Sequence, residues 1–360
     1  MIDFENQFPP LKEFTYLNTA SSGLIPKRVI EWRSQHDQDF LSQGSIFRDD
    51  HKILIEDIRG KVSNYFGASM DDIALIPNFT FGFNTLLDGF DPKMRFLMLR
   101  GDYPSLNWPV ERREFPHRYV AIDANLEQNI QEAFEAEAPD VFAFSLIQYI
   151  SGIRLSFDFL SDLKRAYPNT LFVADCTQFL GTEAFDFQNS PLDVVIGSCY
   201  KWMLSGYGNG LLFVKDVAKE KLYPKVIGFN STEYKSFERE DAPFNRLFEP
   251  GHHDTLNHGS VAKAIEFVQE LGTDNCFNAL QAIKANAMEA FLERGLIDQH
   301  LGDREMHSSI FNLKLNADDY YRLRDAGVLT SLRGDGVRVS FHFYNSTQDL
   351  DSLLQLIAKA

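Results

Sequence analysis

The chain has 360 residues, with 35 Lys+Arg against 51 Asp+Glu for a formal net charge of −16, and 44% of it is apolar. A length of this order supports about two domains, and the negative charge excludes the broad basic face that nucleic acid or an anionic membrane surface demands. Cys176, Cys199 and Cys276 form no CxxC pair, which speaks against a disulfide framework or structural zinc and fits a reducing cytoplasm. The N-terminus, MIDFENQFPP, is acidic and polar, unlike a signal peptide, and no apolar run nears the ~18–20 residues of a membrane span. The chain reads as soluble and cytoplasmic.

Along the chain, short apolar runs alternate with longer amphipathic ones through the first 215 residues. Strands are predicted at Ile73–Ile76, Phe96–Leu99, Val141–Ser145, Leu171–Ala174, Val194–Gly197 and Leu211–Val214. Helices are predicted between them, for example Leu126–Glu137 and Phe157–Tyr167, the second stopped by Pro168-Asn169. This alternation predicts an α/β domain whose mainly parallel sheet is covered on both faces. The polar, aromatic stretch from Tyr223 to Gly251 breaks the pattern and reads as an irregular connection. A helix-rich run follows from Gly259 to about Gly295, then short strands ending in Val337–Phe343, which together predict a smaller α+β C-terminal domain. Thr347–Ala360 has apolar residues at helical spacing and predicts a closing helix.

Ligands of such sheets sit at the carboxyl ends of strands. Asp175 stands there in LFVADCTQFLG, and Lys201 follows DVVIGS by three residues. Either charge alone is more often a helix cap or a solvated side chain. Together with the Asn78–Asn84 turn after IALIP they point to a site. That turn, NFTFGFN, offers a hydroxyl, a glycine and a helix N-terminus to an anion. GYGNG at Gly206–Gly210 lacks the GxGxxG spacing and follows the lysine, which disfavours a dinucleotide fold. His252, His253 and His258 match no common metal spacing, so no metal is expected.

These segments together resemble the class V aminotransferase family, the fold-type-I pyridoxal phosphate (PLP) enzymes that include cysteine desulfurases, kynureninases and isopenicillin-epimerase-like proteins. The resemblance runs nearly end to end. YLNTASSG (Tyr16–Gly23) resembles the family's N-terminal signature and NFTFGFN its phosphate loop. GDYPSLNWP (Gly101–Pro109) sits at its ring-stacking segment, VADCTQFLG at its Asp-x-x-Gln/His element, SCYKWM at its Schiff-base segment and GVRVSFHFYNS (Gly336–Ser346) at its carboxylate-binding arginine. The resemblance implies PLP as cofactor and a mainly parallel, seven-stranded-type sheet. It implies an N-terminal arm over 1–15 joining the small domain, a large cofactor domain over 16–245 and a small domain over 246–360.

It also implies roles. Lys201 would be the Schiff-base lysine and proton shuttle, Asp175 the partner of the pyridine nitrogen, and Gln178 the partner of the ring hydroxyl. Tyr103 would stack on the ring, and Phe79, Thr80, Ser198 and Tyr200 would hold the phosphate. Arg338 would clamp the substrate carboxylate in a bidentate pair. Asn18 and Arg48 would line the substrate pocket or fix the N-terminal arm, whereas Ser21 and Ser22 read as turn residues. His252, in Pro250-Gly251-His252-His253, lies where the family reaches the partner subunit's phosphate, which implies a homodimer with interfacial sites.

The departure from the desulfurases is an absence. Their mobile cysteine lies upstream of the carboxylate arginine, and Tyr320–Arg338 contains none. A persulfide relay is disfavoured, and direct lyase action is not. Aminotransferase activity on an amino acid is the first reading. A cysteine- or selenocysteine-lyase-like or kynureninase-like reaction, or an epimerase, stands beside it. A non-catalytic binding protein of the same fold should have lost Lys201 or Asp175, and both are present.

Overall fold

Seven short apolar segments pair into one sheet in the computed structural model, which describes residues 4–231, 243–304 and 306–357. They are β1 (Ile73–Ile76), β2 (Phe96–Leu99), β3 (His117–Val120), β4 (Val141–Ser145), β5 (Leu171–Asp175), β6 (Val194–Ser198) and β7 (Gly210–Val214). The order across the sheet is β1-β7-β6-β5-β4-β2-β3. Every pairing is parallel except those of β7, which runs against both neighbours. Apart from β3, every strand residue is buried. Because side chains alternate between faces, Ile73 and Leu75 enter one apolar cluster and Ala74 and Ile76 the other. Coverage on both faces therefore needs apolar residues at consecutive positions, the pattern the sequence shows.

One strand of this sheet was not predicted. β3, His-Arg-Tyr-Val, lies at the sheet edge with only Val120 buried, so no continuous apolar run marks it. The predicted closing strand over Val337–Phe343 is regular only from Gly336 to Ser340. Of the predicted connection from Tyr223 to Gly251, residues 232–242 lie outside the described residues; its flanks make short 3-10 turns at Phe229–Ser231 and Phe244–Leu247.

Helices α1 (Phe79–Asp88) and α2 (Pro104–Arg112) cover one sheet face. The Asn78 side chain caps α1, its Oδ1 accepting from the Phe81 amide at 3.0 Å. The opposite face carries α3 (Leu126–Ala136) and α4 (Phe157–Ala166). Its apolar cluster continues without a break into α5 (Thr255–Leu271), α6 (Thr273–Glu293) and a second sheet. That sheet pairs β8 (Ile310–Leu313), β9 (Ser331–Arg333) and β10 (Gly336–Ser340) in the antiparallel order β9-β10-β8.

The N-terminal arm joins the two ends of the chain. Thr15–Tyr16 pairs in parallel with Val328–Leu329, and Asn18 bridges Ser340. The arm then settles on the segment after β6. Gly23 N donates to Tyr200 O at 3.0 Å, and a Cβ at Gly23 would lie 1.9 Å from Lys201 O, so only glycine lets the arm pass. No helix among the described residues is long and apolar enough to cross a membrane.

Candidate active site

Strand ends set the site. β5 ends on Asp175, β6 on Ser198, and the turn after β6 carries Lys201. With the N-terminus of α1 they border a cavity of about 460 Å³. Short hydrogen bonds lock the three elements together. Ser198 N donates to Thr177 Oγ1 at 3.1 Å, and Phe79 N donates to Ser198 Oγ at 2.9 Å. The first turn of α1 thus faces the cavity, with Phe79 buried and Thr80 exposed at its rim.

Among the described residues, the charges in this cavity lack ion-pair partners. The Asp175 carboxylate accepts from Thr177 N at 2.8 Å and forms no ion pair among the described residues. Burial drives its pKa up, and the Asp102 charge adds to that against the Thr177 hydrogen bonds. Lys201 is 6% exposed, and its Nζ sits 5.7 Å from the Tyr103 ring centre and 5.6 Å from that of Tyr200. No hydrogen-bond acceptor reaches that Nζ among the described residues. Burial depresses the lysine pKa, the Arg338 charge depresses it further, and Asp175 opposes both.

Gln178 bridges the arm to the lysine turn. Its Oε1 accepts from Trp202 Nε1 at 2.7 Å and its Nε2 donates to Ala20 O at 3.0 Å, leaving one amide proton toward the cavity it lines. Tyr103 meets Tyr149 edge to face at 5.3 Å, and Tyr200 stacks on Tyr207 at 4.6 Å. Asp102 fixes Tyr103 from behind, accepting from Tyr103 N at 2.7 Å and Ser145 N at 2.8 Å.

Arg338 of β10 is 2% exposed. It donates through Nη1 to Tyr149 O at 2.7 Å and through Nη2 to Ser21 Oγ at 2.6 Å, while its Nε has no partner. No carboxylate pairs with it among the described residues. Burial and the Arg333 charge lower its pKa to about 10. Asn18 Oδ1 is likewise buried without a partner.

The structure does not bring Arg48 and His252 into this cavity of their own chain. Both are exposed, and they meet each other, Nη2 to Nε2 at 3.2 Å. Arg48 lines a second cavity of about 380 Å³ with Arg59, Glu249 and His253. His253 and His258 contribute to no group of three or more potential metal ligands among the described residues. A still larger cavity, about 560 Å³, has Arg100, Gln148, Lys314 and Asp335 on its walls but no convergence of buried charge.

Three residues that line the cavity, and Asp102 behind it, escaped sequence reasoning. Ser145 ends β4, so the strand-end rule applied to it as much as to Asp175. Asp102 follows β2 by three residues and carried the same signal. Tyr149 and Tyr207 gave none, since only the folded turns bring them to the cavity.

A sequence profile of the aminotransferase class-V family matches residues 15–353. An uncharacterized aminotransferase of Schizosaccharomyces pombe is 24% identical over 84% of this chain and 81% of its own. A probable cysteine desulfurase of Borreliella burgdorferi is 23% identical over 95% of this chain and 90% of its own. Among solved structures, the cystine C–S lyase C-DES in complex with cysteine persulfide superimposes with a TM-score of 0.85 at 18% identity, covering 97% of this chain and 99% of that one. A mutant of C-DES with glycine covalently linked to its PLP cofactor gives the same TM-score and identity, covering 99% of both chains.

Proposed function

The chain belongs to the aminotransferase class-V family, and we propose that it is a PLP-dependent aminotransferase acting on an α-amino acid. The residues present fit that cofactor. A buried carboxyl without a cation, an unpartnered lysine, a tyrosine face and a helix N-terminus surround one cavity. On this reading Asp175 holds the ring nitrogen, Gln178 the ring hydroxyl and Tyr103 the ring face. Thr80, Phe79, Ser198 and Tyr200 hold the phosphate, and Lys201 is the attachment point. When bound, the cofactor supplies an electron sink for the carbanion formed at the substrate Cα.

The chain's own part is to bind, orient and move protons. Arg338 offers the substrate carboxylate a guanidinium whose Nε is unused, and Asn18 Oδ1 lies buried and free to accept. Depressed basicity keeps Lys201 Nζ neutral more often than an ordinary lysine, so it can attack a carbonyl and take the Cα proton. The observation that carries the reading is the buried Lys201–Asp175–Arg338 group, in which neither the lysine nor the arginine has a carboxylate within ion-pair distance among the described residues. Transamination asks for one mobile base, which Lys201 provides. A persulfide relay asks for an accessible thiol, and all three cysteines are buried.

A second reading, direct C–S cleavage, is favoured by the likeness to C-DES and needs no protein thiol. Kynureninase-like and epimerase chemistry would use the same base and carboxylate clamp. Residues 16–245 would form the cofactor domain, and residues 246–360 with the arm the smaller one. A homodimer would let Arg48 and His252 of one copy face the cavity of the other.

The test is the absorbance of the purified protein supplied with PLP. A borohydride-sensitive band near about 410–430 nm is expected in the wild type and absent in Lys201→Ala. Its conversion to a band near about 330 nm by an amino acid, with release of the keto acid, marks transamination. Pyruvate and sulfur release from cysteine or cystine without that conversion marks the lyase. No band at all overturns the enzyme reading.

A further inference from the structure

β9 and β10 form a hairpin in which Ser331 pairs with Arg338 and Arg333 with Gly336. With a period of two along each strand, Arg333 and Arg338 stand on one face as diagonal neighbours, their Cβ atoms about 7–8 Å apart. The hairpin tip is fixed against the turn that follows Gln148. Gly334 sits at φ +56°, where only glycine is unstrained, and a Cβ there would lie 3.0 Å from Ile150 Cγ2 and 3.1 Å from Asn312 Nδ2. Ile150 belongs to a turn fastened by Gln148, whose Oε1 accepts from Ile150 N at 2.7 Å and Ser151 N at 2.6 Å. That turn presents Tyr149, the residue whose carbonyl takes Arg338 Nη1. Arg333 therefore stands beside Arg338 on a rigid mount, close enough for its charge to act on Lys201, Arg338 and Tyr149.

Like charges on one sheet face are costly, and among the described residues no carboxylate offsets these. The Arg333 guanidinium donates to Leu332 O at 3.0 Å and, among the described residues, to no carboxylate, although Asp335 is two residues away and the chain as a whole carries −16. Two arginines side by side without an acid form a receptor for two anionic groups a few ångströms apart.

We infer that Arg333 is a specificity residue, and that the amino acid taken at this site carries a second acidic group on its side chain, held by Arg333 while Arg338 holds the α-carboxylate. The inference rests on the reading of Arg338 as the carboxylate clamp. Arg333 is exposed where Arg338 is buried, so it meets the far end of the substrate and leaves the reacting carbon to Lys201.

Glutarate and butyrate separate the two arginines, because neither has an amino group and both report binding alone. Calorimetric titration of the PLP-supplied protein should give glutarate at least about ten-fold tighter binding than butyrate, the ~1.4 kcal/mol expected at the low end of a charge-assisted hydrogen bond. In Arg333→Gln the ratio of the two affinities should fall to within about two-fold, and Arg333→Lys should restore part of it. Equal affinities in the wild type, or an unchanged ratio in Arg333→Gln, overturn the inference. Arg338→Leu tests the clamp on its own. If it leaves butyrate binding intact, the Arg338 reading fails whatever the ratio shows. Unchanged thermal melting of Arg333→Gln confirms that the exposed tip has not unfolded.

Discussion

Two regions of this molecule bury charge, and they treat it in opposite ways. Beside β1, Glu249 meets every neighbour it could use. Its Oε1 accepts from Arg59 Nη1 at 2.9 Å and from Leu75 N at 2.6 Å, and its Oε2 accepts from Arg59 Nη2 at 2.8 Å and His253 Nε2 at 2.7 Å. Burial alone would raise this carboxyl, but His253 and Arg59 overcome it and hold it at about 2. At the carboxyl end of the sheet, Asp175, Lys201 and Arg338 are as deeply buried. There the carboxyl is pushed up, and the lysine and arginine down. The same desolvation acts on both regions, so the difference lies in partners. Paired charge ties the 244–249 segment to the open edge of β1, where Asn245 Nδ2 also donates to Ile73 O at 3.1 Å. Unpaired charge does no comparable structural work and marks where a ligand belongs.

Breaking the paired region should give the largest change in stability. Glu249→Ala strands Arg59 in the interior and frees the Leu75 amide, a loss of about 3–5 kcal/mol. Urea denaturation would show it as a lower midpoint at constant slope. A loss below about 1 kcal/mol would mean the network is not what closes this edge.

Acid should erode the same interaction. A carboxyl held at about 2 when folded, against an ordinary 4.5, contributes stability that is full above the higher value and lost as pH falls through the lower. Relative to Glu249→Gln, the wild type should keep its whole advantage at pH ~5 and lose most of it by pH ~2. Denaturation of both proteins across that range reads the gap directly, and a gap that does not narrow removes Glu249 as the titrating group.

Which of these regions could be read in the sequence follows from how local each signal is. β1, β2 and β4 have the bounds their apolar runs predict, because strands buried on both faces leave no polar residue to blur the ends. Asp175 and Lys201 were legible because such runs mark the strand ends where these sheets hold ligands, and the two charges together with the Asn78–Asn84 turn pointed to one site. β3 was not, since an edge strand need not be apolar. The Glu249 network and the hold of Ser21 on Arg338 were also invisible. Each joins residues far apart in the chain, and a glutamate before a proline or a serine in a turn looks the same with or without its partner. The pairing of Thr15–Tyr16 with Val328–Leu329 is a further case, two residues long and settled only by the packing around it.

The sharpest contrast comes from a substitution expected to change stability least. Arg338→Met removes two hydrogen bonds, to Tyr149 O at 2.7 Å and Ser21 Oγ at 2.6 Å, worth roughly 1.5–3 kcal/mol each because the donor is charged. It also removes a buried cation that no carboxylate offsets among the described residues, whose desolvation costs several kcal/mol. The two contributions oppose each other, so the variant should be within about 1 kcal/mol of the wild type or more stable, while its affinity for carboxylates collapses. Glu249→Ala shows the reverse, because there the charge had its partner and losing one side leaves the other stranded. A destabilisation of Arg338→Met by about 3 kcal/mol or more would place Arg338 among the structural charges. The distinction between the two regions would then fail at the residue on which the substrate reading depends.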